Sequence, residues 1–416
     1  MATDIKETIH PVDASALLRL LPSRPPASSR PPRPRVLALG EPTHTEDTLL
    51  HLRNELFRHL VEDEGYRIVA IESDCLKALV VDDYVATGRG SLDAVMADGF
   101  SHPDLGLGAS AANRELVRWM RRHNEGRPAS ERVRFAGVDG PLEMAAAASP
   151  RAALVPLYAS LAAHVDADLL PCDAGTLDQL LGADERWTDP AAMFEPGRSV
   201  GRSDDAARLR LLADELVALL DTQEPLLRAA VEPDAWHRAR LYARTAVGLL
   251  RYHWAMADPS PSRMARLCAL RDAMMADNLL ALADRAPVLV HAHNAHLQRE
   301  LSSMGMWDGP VEWWSAGALA SVRLGPEYAF VATALGTLPH RGVDAPPPDT
   351  LEGLLYALPD DRCLVDARRL AGLIGDRLPA PRVSPWFGYA PFDPAHLAGS
   401  DGIVFLKDVP PHPSSP

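Results

Sequence analysis

Glu41 and His44 stand three residues apart, directly after Gly40 and the short apolar run 36–39. Glu72 follows a second run, 67–71, and a third, 288–290, opens into His291, His293, Asn294 and His296. Imidazoles beside carboxylates are the materials of proton transfer. An imidazole changes charge near neutrality, and a carboxylate hydrogen-bonded to it fixes its tautomer. The same residue types also serve zinc. His291 and His293 share a face if the chain stays extended, whereas His293 and His296 meet only if it turns helical. That segment therefore offers at most two ligands, and Glu41, His44 or Glu72 would have to complete a set.

These residues need strands to bring them together. Residues 36–39 are short, apolar and uninterrupted, as a parallel strand buried on both faces requires. Gly40 permits a sharp turn. Thr45 is the expected N-cap of a helix whose apolar stripe is Leu49, Leu50, Leu52, Leu56 and Leu60. With the strand 67–71 this reads as a βαβ unit. In an open α/β sheet, ligands bind beyond the carboxyl ends of the strands. If the three runs belong to one parallel sheet, Glu41, His44, Glu72, His293 and His296 converge on one edge.

Further along come a helix over 75–86, a Gly-rich loop over 99–108 containing His102, and a helix over 113–123. A strand over 133–139 ends at Asp139, and Asp74 and Asp139 read as helix caps. Residues 141–286 then carry helical periodicity with almost no strand signal, too long for a crossover helix. Strands return at 288–290, 328–334, 363–366 and 402–406, with helices at 316–324 and 351–358. The expected fold is α/β: a mostly parallel central sheet flanked by helices, with a large inserted helical subdomain. Residues 1–35 form a helical lead-in and Pro-rich connector, 36–140 and 287–416 the α/β catalytic domain, and 141–286 the insertion.

The chain has 416 residues and a net charge of −14, with 47% hydrophobic and 24% charged residues. That charge argues against nucleic acid or an anionic membrane as partner. No apolar run reaches membrane-spanning length, no signal peptide is evident, and four scattered cysteines suit a reduced, cytoplasmic chain. Gly197-Arg198-Ser199-Val200-Gly201 matches G-x-S-x-G in letters but follows no buried strand, so it lacks the context of a nucleophile elbow.

Gly40-Glu41-Pro42-Thr43-His44 resembles the G-E-x-x-H of the erythromycin esterase family, and His293-Asn294-Ala295-His296 its H-N-x-H. Residues 70–74 are similar to its a-I-E-s-d segment, and Arg53 stands where the family has an arginine in the first helix. The likeness extends through residues 113–121, 271–279, 315–319, Phe392 and 401–405. It implies a metal-independent hydrolase without cofactor, in which a histidine activates water against an ester or lactone of a macrolide or other bulky natural product. Carried over, His44 is the general base, and Glu41 and Glu72 orient or charge-balance it. His293 and His296 bind the reacting carbonyl or position the water. Arg53 adds positive charge, as a substrate contact or in an ion pair with Glu41 or Glu72. His102, His291 and Trp314 are further candidates for the substrate pocket. His291 and Trp314, with Trp307 and Trp313, serve equally as core. This sequence has Thr45 where the family often has Gly, Ala295 in another such position, and His291 where many relatives carry an aromatic. Two rival functions remain: a biosynthetic tailoring enzyme using the same site for elimination, rearrangement or acyl transfer, and a binding protein, since one branch of the superfamily binds haem.

Overall fold

A computed structural model describes residues 5–21, 34–101, 110–143, 146–306, 309–384 and 386–410. His102 and Trp307 lie outside the described residues. The strands are β1 (Ile9–His10), β2 (Val36–Glu41), β3 (Ile68–Asp74), β4 (Arg134–Asp139), β5 (Leu142–Glu143), β6 (Ala146–Ala147), β7 (Val288–His293), β8 (Leu301–Met306), β9 (Gly309–Trp314), β10 (Tyr328–Thr337), β11 (Arg362–Asp366) and β12 (Gly402–Asp408). Eight of them form one sheet in the order β1-β11-β12-β10-β2-β7-β3-β4. From β12 to β4 every pairing is parallel, and only β11 runs against its neighbours. The fold is α/β with a mostly parallel central sheet.

Strand β7 pairs with β2 on one side, Val36 opposite Val288 through Glu41 opposite His293, and with β3 on the other, Ile68 opposite Val288 through Ile71 opposite His291. The connection from β2 to β3 therefore crosses over β7 instead of joining neighbours. Through this wedge, a strand more than two hundred residues away in sequence sets His291 and His293 between Glu41 and Glu72.

Alternation along the strands divides the core into two layers. Val36, Ala38, Val288 and Val290 pack with Met275, Ala276 and Leu279 of helix Arg263–Ala283, and with Ala316 and Ala320 of helix Ala316–Leu324. Leu37, Leu39, Val69 and Leu289 pack with Leu52, Leu56 and Phe57 of helix Asp47–Glu64, and with Leu116 and Met120 of helix Ala111–Asn124. Each Val, Leu, Phe or Met side chain among them contributes about 1.5–3 kcal/mol on full burial. Helices between Arg151 and Met256 build a separate core from Leu154, Leu157, Leu209, Leu216, Trp236 and Leu250. Helix Arg263–Ala283, read from sequence as the end of the insertion, instead lies on the central sheet.

Two capping expectations are corrected. Helix Asp47–Glu64 has Glu46, not Thr45, at its N-cap, without a side-chain capping bond. Asp139 caps nothing but pairs with Arg271. Asp74 does accept from the Leu76 and Lys77 amides, at 2.7 and 3.1 Å, ahead of helix Ala78–Thr87.

Candidate active site

Gly40 is required where the sheet meets the site. A Cβ there would lie 2.1 Å from Oδ1 of Asn294. The Asn294 amide in turn donates to the Thr333 carbonyl at 2.8 Å and accepts from its N–H at 3.2 Å, tying helix Asn294–Leu297 to β10. Gly40 and Asn294 thus fix the two histidine segments against each other.

His44 Nδ1 lies 2.7 Å from Glu41 Oε1, and its Nε2 points toward Glu72 Oε1 at 3.8 Å. His296 repeats the arrangement: Nδ1 lies 2.5 Å from Asp272 Oδ1, and Nε2 lies 3.4 Å from the same Glu72 oxygen. Glu72 is the hub. Its Oε1 accepts from Arg271 at 3.0 Å and its Oε2 from the backbone N–H of His293 at 2.9 Å. Arg271 also grips the buried Asp139, with bonds of 2.7 to 3.1 Å. The Trp313 indole N–H donates to Asp272. The His293 ring stands 5.5 Å from that of His44 and 6.5 Å from that of His296, centroid to centroid.

Charge follows from this geometry. Burial works against a charged His44, but Glu72 and the hydrogen-bonded Glu41 outweigh it and raise its pKa to about 9. Burial opposes a charged Glu72 too, yet His296, His44 and Arg271 hold its carboxyl well below the usual range. Glu41 is likewise lowered against burial, by His291 and His44. His296 is raised, its burial offset by Asp272 and Glu72. His293 and His291 are pushed down to about 4 by burial, with His44 adding to the effect at His293. The Nδ1 of His293 accepts from the Ala295 amide at 3.2 Å, which leaves the ring proton on Nε2. The cluster therefore holds charged imidazoles on carboxylates and a neutral imidazole able to donate.

His44 is more open than the carboxylates and His296, its side chain 31% exposed against 6% for Glu41, 9% for Glu72 and 12% for His296. Glu41, His44, Glu72, His293 and His296 lie in one cluster. His291 stands behind it, Nε2 3.6 Å from Glu41 Oε2. That oxygen is buried without a hydrogen-bond partner among the described residues. Arg53 is 1% exposed and donates to Asn54 and Asn113, at 2.7 and 2.9 Å, beneath Glu41. It is closed off from solvent. Trp314 points to solvent, 57% exposed, and the buried tryptophan is its neighbour Trp313. Sequence reasoning gave no site role to Arg271 or Asp272, although both fall in the segment 271–279 that carries the family likeness; it read Asp139 as a helix cap and Trp313 as core or pocket wall.

Among the described residues no group of three or more His, Cys, Asp or Glu is arranged to hold a metal ion, and no helix is long and apolar enough to cross a membrane. Fold and site together define an α/β protein with a histidine–carboxylate cluster at the carboxyl edge of a parallel sheet. The chain belongs to the erythromycin esterase family, whose profile matches residues 61–409. The match takes in Glu72, Arg271, Asp272, His293 and His296 and begins after His44. Membership supports a hydrolase-type function acting on a small molecule. No curated protein matches the chain. Three solved structures share the fold. A Bacillus cereus protein is 16% identical, with TM-score 0.73, covering 98% of this chain and 97% of its own. A succinoglycan biosynthesis protein is 15% identical, with TM-score 0.70, covering 98% and 96%. A mutant of the erythromycin esterase EreC in its open conformation is 18% identical, with TM-score 0.62, covering 89% and 90%.

Proposed function

We propose that this protein hydrolyses an ester or lactone of a macrolide or another bulky natural product, without a metal, using His44 as general base. The observation that carries this reading is the pose of His44. Nδ1 is committed to Glu41 at 2.7 Å, while Nε2 stands 3.8 Å from Glu72, beyond a hydrogen bond, on a side chain that is 31% exposed. In its unprotonated form His44 takes a proton from water at Nε2, and the water oxygen bonds to the carbonyl carbon. The neutral Nε2–H of His293 is the donor suited to the oxyanion that develops. The tetrahedral carbon then expels the alkoxide, which recovers the proton from His44. Glu41 holds the tautomer and stabilises the imidazolium, while Glu72, anchored by Arg271, balances the charge. Incubation with a panel of macrolides and simpler lactones, followed by mass spectrometry, tests the reading. A product one water heavier than its substrate is expected. Turnover only to isomers, or to acyl-transfer products, would replace hydrolysis with another base-catalysed reaction.

A further inference from the structure

A cavity of about 70 Å³ lies along the free edge of β4, roofed by helices Pro233–Met256 and Arg263–Ala283. It is distinct from the histidine cluster. Asn278 in its wall is about 10 Å along the helix from Arg271, at 1.5 Å per residue. Four guanidinium groups line it: Arg134, Arg238, Arg244 and Arg285. Three are matched. Arg134 pairs with Asp82 and Asp234, Arg285 with Asp234 at 3.2 Å, and Arg238 with Asp83 just outside. Arg244 is left over. Its one hydrogen-bond partner among the described residues is the Asn278 amide oxygen, at 3.2 Å; the nearby carboxylate of Asp277 acts on it at longer range and pairs with Arg323.

The other guanidinium groups of the wall act on one another and on His237. Burial, reinforced by Arg285, pushes His237 in the wall down to about 4. Burial lowers Arg285, and Arg134 lowers it further. Arg244 itself falls to about 10, chiefly through burial. Arg244 is half-buried, and a guanidinium partly withdrawn from water without a close carboxylate favours an anionic partner. One water needs roughly 10–15 Å³ of such space, so the cavity has room for a small oxyanion. Arg244 also lines a second cavity of about 200 Å³, with Arg240, Thr245 and Arg251, so it stands at the neck between the two.

We propose that the cavity beside β4 binds a small oxyanion, phosphate or the phosphoryl head of a larger ligand, held by Arg244 with Arg285 as second contact. Guanidinium suits such a group because its planar donors meet two oxygens at once.

Calorimetric titration of the full chain with inorganic phosphate, and in parallel with glycerol phosphate, tests this at constant ionic strength set with chloride. Saturable binding at one site is expected for inorganic phosphate. Arg244→Met should weaken it about ten- to a hundredfold, the loss of a charge-assisted hydrogen bond. If that variant fails to fold, Arg285→Gln should weaken it in the same direction. Equal or tighter binding of glycerol phosphate identifies the phosphoryl head of a larger ligand, with its tail in the second cavity. Binding of inorganic phosphate alone identifies the free ion. His44→Gln should leave the titration unchanged. Absence of saturable binding to the unaltered protein, wild-type affinity in both arginine variants, or loss of binding in His44→Gln would each overturn the proposal, the last by moving the ion into the catalytic cleft.

Discussion

Nδ1 of His44 and Oε1 of Glu41 are 2.7 Å apart, joined across the turn that Gly40 begins. The bond fixes which nitrogen carries the ring proton, and it charges the ring. With Glu72 nearby, His44 is raised to about 9, so at neutral pH it is mostly imidazolium in the ligand-free protein. A base of that strength is effective once deprotonated but scarce below its pKa. On the proposed mechanism the same pair sets both the potency of the base and the pH at which it works.

His44→Gln removes the proton acceptor and keeps a polar side chain in a half-exposed position. Hydrolysis should fall by roughly a hundred- to ten-thousand-fold, the usual range for loss of a general base. Circular dichroism should be unchanged. Wild-type rates in this variant, on a substrate the native protein turns over, would remove His44 from the chemistry.

The pH profile should show the pair directly. With His44 as base, kcat/KM should rise with pH through a midpoint near 9 and level off above it. Glu41→Gln should move that limb to lower pH, because the carboxylate it removes favours the charged ring. Stability should move the other way. The folded pKa of His44 exceeds its ordinary 6.5, so its contribution is complete below 6.5 and lost as pH rises through about 9. Glu72 is lowered, so its contribution is present above about 4.5 and lost as pH falls through its folded value. Rate profiles and urea midpoints across this range check both signs. A rate limb centred near 6.5 that Glu41→Gln leaves in place would contradict the coupling.

Arg271 serves two carboxylates, Glu72 at 3.0 Å and the fully buried Asp139 at 2.7 Å. Arg271→Met leaves Asp139 charged, buried and unpaired, a change expected to cost about 3–5 kcal/mol. Arg271→Lys should cost less, since one charge remains but the fork that spans both acids does not. Urea unfolding of the two variants gives the comparison, and equal stability of Arg271→Met and the native chain would show that the pair is not holding the site.

The clustering of the histidines and carboxylates at one sheet edge was legible because strands buried on both faces announce themselves as apolar runs, and these residues follow those runs immediately. The order of the strands was not. Nothing local in residues 288–293 says that β7 lies between β2 and β3, since pairing across such a separation is decided by packing of the whole sheet. Arg271 and Asp272 were hidden for a related reason: a charged pair on a long helix normally faces water, and only the position of helix Arg263–Ala283 against the sheet turns them inward. Trp313 and Trp314 show the limit of parity. Adjacent residues on β9 point to opposite faces, so one binds Asp272 and the other meets solvent, but the sequence does not say which.

Thr45 has φ of 69°, the one positive φ among the described non-glycine residues. A β-branched residue there is strained, by about 1–2 kcal/mol for an L residue in this region. Its hydroxyl donates to the carbonyl of His44 at 2.6 Å, which ties the strain to the putting-in-place of the imidazole. Thr45→Gly relieves the strain but frees the unfolded chain, at about 0.5–1 kcal/mol. The net effect on stability should be neutral to slightly favourable, where Thr→Gly in an ordinary helix or strand destabilises. A loss above about 1 kcal/mol in urea unfolding would show that the hydroxyl bond outweighs the backbone.

Prolonged treatment with EDTA or phenanthroline should leave activity intact. The atoms that could ligate a metal are already committed elsewhere. A zinc site needs about three protein ligands in tetrahedral array, roughly 2 Å from the ion, plus an open position. Nδ1 of His44 belongs to Glu41, Nδ1 of His296 to Asp272, and Nδ1 of His293 accepts from the Ala295 amide. The Nε2 atoms of His44 and His296 both turn toward Glu72, but Arg271 sits on that same oxygen at 3.0 Å, where a guanidinium would repel a divalent cation. Displacing Arg271 would uncover Asp139 as well. Proton transfer through a carboxylate-paired imidazole asks for none of this rearrangement. Activity that disappears on chelation and returns with added zinc would overturn the general-base mechanism while leaving the fold and the family as they stand.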